Sequence, residues 1–210
     1  MEEMTRRREA ALATRQKLLE AAREIVQARG LAGTQVEEIT RRCGVSKGTF
    51  YTYFKRKEDV IYALCRGKFE EIRERALASS EPFPARLAAY MVDFCAYIEA
   101  ESLKLCQEWI RNTADPDFAD NQDGADKLRF DLEAVSALFS DGVRRGEVRP
   151  DAPIAQLVHT LVDVMYGQML CWATSNGALP FSGKTREFCD RFLSVLLHPY
   201  LNDNPRRERK

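Results

Sequence analysis

Residues 36–57 read VEEITRRCGVSKGTFYTYFKRK, and the fold is decided there. Val36, Ile39, Thr40 and Cys43 recur at i, i+3, i+4 and i+7, the spacing of one face of a short helix. Gly44 interrupts that pattern where a helix would end, because a residue without a Cβ tolerates positive φ. Ser46 is then placed to cap a second short helix by accepting a bond from a free backbone N–H. That second helix carries Phe50 and Phe54 four apart on one side, with Lys47, Thr49, Tyr51 and Tyr53 around the rest. Two short helices joined at a tight glycine turn, the second with an aromatic and basic exposed face, predict a helix-turn-helix over about residues 35–54.

Outward from this motif the chain reads as all-α. A first helix is expected from about Arg8 to Arg29, ended by Gly30 and Gly33, with Leu18, Ala22, Ile25 and Val26 at helical spacing. A long helix begins near Lys57 and Glu58 and runs to about Ala78. Glu81-Pro82-Phe83-Pro84 breaks the chain. Helices are then expected at about Ala85–Ala100, Ser102–Asn112, Asp123–Arg145, Ile154–Thr174 and Thr185–Leu197, with a turn at Asp115-Pro116-Asp117. No strand-like alternation and no internal repeat is present. The expected division is a helix-turn-helix unit at 12–72 and a helical bundle at 73–201.

Length and composition agree with a globular protein: 210 residues, 45% hydrophobic and 30% charged. No run approaches the roughly 18 apolar residues of a membrane span, and the opening MEEMTRRREAAL has no apolar segment behind its charges, so no secretory signal is visible. Six cysteines without any CxxC suit reduced thiols and a cytoplasmic location. Net charge is zero, but unevenly distributed. Residues 1–57 hold 13 Lys and Arg against 7 Asp and Glu, whereas residues 58–204 hold 15 against 24. The tail 205–210 holds 4 against 1. A basic amino-terminal part on an acidic body is the electrostatic footprint of a small DNA-binding module. No Ser/His/Asp set, nucleotide-binding glycine loop or metal-ligand spacing occurs, and only two histidines exist, so an enzyme is not expected and no cofactor is implied.

Gly30, Val36, Ile39 and the unbroken run Gly44-Val45-Ser46-Lys47-Gly48-Thr49-Phe50-Tyr51-Thr52-Tyr53-Phe54-Lys55-Arg56-Lys57-Glu58 carry a resemblance. Residues 12–72 resemble the amino-terminal domain of the TetR family of bacterial transcription regulators. The resemblance implies that Lys47, Gly48 and Thr49 open a recognition helix in the major groove. It implies that Tyr51 and Tyr53 reach phosphates and base edges, and that Lys57 holds the backbone with its charge and a helix dipole. Thr34, Gln35 and Ser46, which open the motif's two helices, complete the implied DNA-binding set. Gln35 departs from the Ser or Thr usual before Val36, and Thr34 is an alternative cap one residue earlier. Thr40 and Cys43 replace small alanines, and Glu37 faces the expected DNA side, where it would repel phosphate.

Several residues carry two readings. Arg6-Arg7-Arg8 suits either a flexible arm entering a minor groove or the solvated start of the first helix. The resemblance implies an inducer pocket in the body, for which Phe69, Tyr90, Phe94, Tyr97, Trp109, Asp163 and Tyr166 are the candidate lining; at helical spacing the same aromatics also read as core. Asp93, Glu108 and Asp163 are either pocket carboxylates or groups at the bundle rim. His159 and Asp163, at i and i+4, are two ligands at most and do not make a metal site. His198 reads as a surface group at a helix end. Cys43 beside Arg41 and Arg42, and Cys65 beside Arg66, leave redox sensing open.

The last two helices are the candidate dimer interface, through Leu157, Leu161, Met169 and Trp172 on one and Phe188, Phe192, Val195 and Leu196 on the other. A twofold homodimer would set two recognition helices on a pseudo-palindromic operator in double-stranded DNA. The function expected is a transcriptional regulator, a repressor released by an unidentified small-molecule inducer through a tilt of the helix starting at Lys57. The rival is a DNA-binding adaptor that recruits a protein partner and has no ligand. No membrane partner is expected.

Overall fold

In the computed structural model every described element is helical, apart from one antiparallel bridge between Val148 and Leu201. The described residues are 2–29, 33–101, 103–114 and 122–202. The expected stop at Gly30, the helix start at Ser102, the Asp115-Pro116-Asp117 turn and the basic tail lie outside them, as does the side chain of Glu108. The chain divides into two compact units, Met1–Lys68 and Phe69–Lys210.

The first unit holds α1 (Glu2–Arg29), α2 (Val36–Cys43), α3 (Lys47–Tyr53) and the beginning of α4 (Lys57–Ala78). Leu18, Ala22, Ile25, Ile39, Phe50 and Phe54 are buried together in its core. The helix ends form by local chemistry. Gly44 takes φ +65 after α2, and Val45 N–H bonds back to the Thr40 carbonyl at 3.0 Å. Ser46 Oγ accepts Thr49 N–H at 3.1 Å and caps α3. Asp59, in the first turn of α4, accepts Arg56 N–H at 2.8 Å, the return half of a capping box. Two expectations change here. α1 begins at Glu2, so Arg6-Arg7-Arg8 lie inside a helix and are exposed on it; the extended-arm reading is set aside. The residue capping α2 is Gln35, not Thr34, and it offers no side-chain bond.

The second unit holds the rest of α4, then α5 (Phe83–Glu101), α6 (Leu103–Ala114), α7 (Gln122–Arg144), α8 (Ile154–Thr174), α9 (Phe181–Phe188) and α10 (Ser194–Leu197). α5 is central, packed against α6, α7, α8 and α9, and α7 lies along α8. α5 starts two residues before the expected Ala85 because Pro84 falls in its first turn, where a missing N–H costs nothing, and Ala85 and Arg86 both bond the Pro82 carbonyl. α9 starts at Phe181, four residues before the expected Thr185. Glu99 on α5 accepts Phe181 N–H at 3.0 Å and Ser182 N–H at 3.1 Å, satisfying the first turn from across the bundle. Between α9 and α10 the helix continues through a π turn, Cys189–Leu193.

A polar latch ties two ends of this unit together. Arg86, buried on α5, donates to Asp141 at 3.1 Å and to Glu147 at 2.8 Å, and to the Glu81 carbonyl at 2.7 Å. Arg145 shares Asp141 and donates to the Ser79 carbonyl at 2.8 Å. Gly142 sits under this latch; a Cβ there would meet Phe83 and Val148 at 2.8 Å, so only glycine fits.

Candidate functional site

The helix-turn-helix separates its two faces as the periodicity requires. Phe50 and Phe54 turn inward, with ring centroids 5.3 Å apart, and Arg15 lies 5.4 Å over the Phe54 ring. Tyr51 turns outward, 53% exposed, with its ring edge-on to Phe50. Lys47 and Gly48 are exposed in the first turn of α3, and Thr49 is half-buried, its hydroxyl 3.0 Å from Ser46 Oγ. A Cβ on Gly48 would meet only Ser46 Oγ at 3.6 Å, an ordinary contact. The fold itself therefore does not require glycine at that position. Tyr53 is half-buried against the domain core, so less of it is presented than of Tyr51. Lys57 is half-buried at the start of α4. Gln35 is exposed, but Thr34 is only 2% exposed; its side chain belongs to the interior and offers nothing to a phosphate.

Glu37 does not stand free to repel phosphate, as its position in the sequence suggests. Instead it forms an ion pair with Lys47 across the motif, and the bond from Lys47 holds its carboxyl below the ordinary range. The pair is exposed on both sides, so a phosphate competes for Lys47 on favourable terms. Arg42 likewise bonds Glu24 at 2.9 Å on the surface.

Cys43 is not an activated thiol. It donates to the Lys17 carbonyl at 3.2 Å, and burial raises its pKa despite the nearby Lys17 charge. Burial likewise pushes the Cys95 thiol up to about 12.

In the second unit the candidate pocket residues separate. Phe69, Tyr90 and Phe94 are buried, with Phe69 stacked on Phe94 at 4.4 Å and edge-on to Tyr97 at 5.4 Å. Trp109 and Tyr166 meet edge-to-face at 6.0 Å. Asp163 does not join them; it is exposed on the outer face of α8, as is His159. Asp93 pairs with Arg75 at 2.7 Å at the rim. The charged groups at the aromatic cluster are ones sequence reasoning missed. Lys127 on α7 points its ammonium at the rings and bonds Asp131 at 2.6 Å; the Tyr166 hydroxyl donates to the same carboxylate oxygen at 2.7 Å. Arg73 lies 5.8 Å over Phe130. A signal for Asp131 was available: it shares the i, i+3, i+4, i+7 register with Ala134, Val135 and Leu138, all buried.

The dimer candidates separate too. Leu157, Leu161, Met169 and Trp172 are buried within their own chain, because that face of α8 turns to the bundle; Trp172 stacks on Phe181 at 5.8 Å. They are thus core residues. Phe188 and Leu196 are half-buried, while Phe192 and Val195 are exposed, the latter by 70%. Leu170, one position from Met169, is exposed beside Cys171. Among the described residues no helix is long and apolar enough to cross a membrane. His198 is exposed just after α10.

Two short helices across a glycine turn, the second exposing a polar and aromatic face above a buried Phe50–Phe54 anchor, define a helix-turn-helix DNA-binding protein. The comparisons with known proteins agree. The family described as bacterial regulatory proteins, tetR family, matches residues 18–64. The HTH-type transcriptional regulator UidR of Escherichia coli is 29% identical over 163 residues, which are 73% of this chain and 79% of that protein. The HTH-type transcriptional repressor AcnR of Corynebacterium glutamicum is 28% identical over 157 residues, 72% of this chain and 77% of that one. Among solved structures, Thermus thermophilus FadR, a TetR-family transcriptional repressor crystallised with lauroyl-CoA, shares the fold. Its TM-score is 0.68 at 22% identity, covering 85% of this chain and 92% of that chain. The first unit thus carries a tetR-family helix-turn-helix, and the chain is a DNA-binding transcription regulator.

Proposed function

We propose that this protein is a homodimeric, cytoplasmic repressor that leaves a pseudo-palindromic operator when a small molecule binds its second unit. The observation that carries the DNA reading is the outward face of α3, where Lys47, Gly48 and Tyr51 stand exposed, with Thr49 half-buried beside them, on a helix anchored by buried Phe50. In this reading Lys47 exchanges Glu37 for a phosphate, Gly48 admits the backbone closely, and Tyr51 reaches a phosphate or base edge. Tyr53, Gln35, Ser46 and Lys57 hold register on the duplex.

A single seven-residue helix covers too little DNA for tight binding, so two copies are needed. The exposed apolar residues Leu170, Phe192 and Val195, with half-buried Phe188 and Leu196, support pairing across the last helices. Ligand release rests on linkage: a molecule that favours one arrangement of the dimer shifts the population away from the DNA-bound one. The proposed route is α4, whose residues Lys57–Ala78 fall in both units. The buried cluster around Phe69, Phe94 and Asp131 is the proposed ligand site. The FadR structure with lauroyl-CoA is a precedent for ligand binding on this fold.

Selection from a random duplex pool with the purified full-length chain tests this reading. Recovered sites should be inverted repeats bound by two protomers or a multiple of two. Recovery of asymmetric sites bound by one protomer would overturn the dimer model.

A further inference from the structure

The Lys127 ammonium sits inside a box of aromatic faces. Its nitrogen lies 4.8 Å from the Phe69 centroid, 4.8 Å from Phe94, 5.5 Å from Tyr166 and 5.7 Å from Trp109. One side of the box is acidic: Asp131 Oδ2 accepts both Lys127 and the Tyr166 hydroxyl. Two further polar atoms there have no hydrogen-bond partner. They are Asp131 Oδ1 and Tyr90 Oη, on side chains 1% exposed each. Burial first, and then the charge of Asp131, drives the Tyr90 hydroxyl far above its ordinary range, so it stays neutral and can accept or donate.

Such a box discriminates by charge. Ring faces carry negative quadrupole density, so they draw in a cation and repel a carboxylate. A purely apolar guest would leave Asp131 Oδ1 and Tyr90 Oη as they are, buried and unmatched. A protonated amine with an apolar body satisfies all of these at once. Its ammonium donates to Asp131 and Tyr90, and its body lies among the rings. Lys127 now holds that place with its own ammonium. Its side chain is long, unbranched and 16% exposed, so it can withdraw towards solvent.

We infer that the box recognises a protonated organic amine, which displaces the Lys127 ammonium from Asp131. Lys127 is therefore a built-in competitor, and it sets the apparent affinity by the fraction of time it vacates the box. This inference rests on the reading of the second unit as a ligand-binding unit, but it is tested by binding alone.

The test is calorimetric titration of the full-length protein with three shape-matched probes: 2-phenylethylammonium, 3-phenylpropanoate and 2-phenylethanol. Trp109 fluorescence is followed in parallel in a Trp172→Phe background. The ammonium should bind at least tenfold tighter than the other two and perturb Trp109. Lys127→Met should tighten the ammonium at least tenfold, and Tyr90→Phe should weaken it severalfold with no change of charge. Circular dichroism checks that each variant is folded. If Lys127→Met does not fold, the wild-type probe comparison and Tyr90→Phe still decide. Equal or tighter binding of the carboxylate or alcohol would overturn the inference, as would no binding by the ammonium. So would a folded Lys127→Met with unchanged or weaker affinity for it, because Lys127 would then be a partner and not a competitor. Operator release, measured separately, reports on the functional reading: an amine that binds without releasing operator leaves this inference standing and contradicts that one.

Discussion

The two units handle charge in different ways. Around the helix-turn-helix the ions are outside: Lys47 with Glu37 and Arg42 with Glu24 pair at the surface, above a core built on Ile25, Ile39 and Phe50. The second unit has surface pairs as well, such as Arg75 with Asp93, but it also takes ions inside: Arg86 lies between Asp141 and Glu147, and Asp131 between Lys127 and Tyr166. Surface pairs contribute about 0–1 kcal/mol and exchange readily. This suits a face that must trade protein carboxylates for phosphates. Breaking a buried pair from one side costs about 3–5 kcal/mol, because a charge is left without a partner. Such groups persist only where geometry holds them, which suits a unit that fixes its helices or selects a guest.

This contrast can be broken at several points, in order of expected effect. Phe50→Ala empties the anchor beneath α3 and should cost about 3–5 kcal/mol by urea unfolding, taking operator binding with it. Arg86→Met should cost a similar or smaller amount, up to about 3–5 kcal/mol, by taking the cation from Glu147 and one of the partners from Asp141, which keeps Arg145, while leaving Tyr51 as exposed as before. Were Arg86→Met neutral, the buried latch would be dispensable and the contrast between units would fail. Tyr51→Ala should leave the unfolding curve within about 0.5 kcal/mol of the parent and weaken operator binding by about 1–3 kcal/mol per protomer. Glu99→Gln should cost about 0.5–2 kcal/mol by loosening the start of α9. The Glu99 carboxyl is affected first by burial, which raises its pKa, but the bonds from Ser182 and Phe181 outweigh this and hold it below the ordinary range. Its contribution is therefore present above the ordinary Glu range and lost as pH falls through the lowered value. Stability of Glu99→Gln should fall less between neutral and acid pH than that of the parent. The smallest effect is expected for Asp93→Ala. It breaks the half-exposed pair with Arg75 and should change stability by about 0–1 kcal/mol.

What was legible in the sequence follows the range of the interactions. The helix-turn-helix could be read because its signals are local. Gly44 and Ser46 end and start helices through bonds within five residues, and Phe50 and Phe54 declare their face by spacing alone. The start of α9 could not be read, because its cap, Glu99, lies 82 residues from Phe181. Arg86 reads as a surface arginine until Asp141 and Glu147 are brought to it from 55 and 61 residues away. The four dimer candidates on α8 missed by one step of the helical wheel. An apolar face on α8 is visible in sequence, but whether Met169 or Leu170 faces the bundle is a tertiary matter. Asp131 was the one miss with a local clue, its place in the buried register of α7.

The central claim is that α3 reads DNA with surface cations that exchange partners, and fluorescence anisotropy against salt tests it most directly. Wild type and Lys47→Ala would be titrated on the selected operator across a range of salt concentrations. The account predicts saturable binding by two protomers per site and a steep fall of affinity with salt. For Lys47→Ala it predicts weaker binding and a salt slope smaller by about 1 for each phosphate that the protein no longer neutralises, or about 2 per dimer. Equal affinity and an equal slope for Lys47→Ala would contradict it, and would mean that Lys47 serves Glu37 and not the DNA.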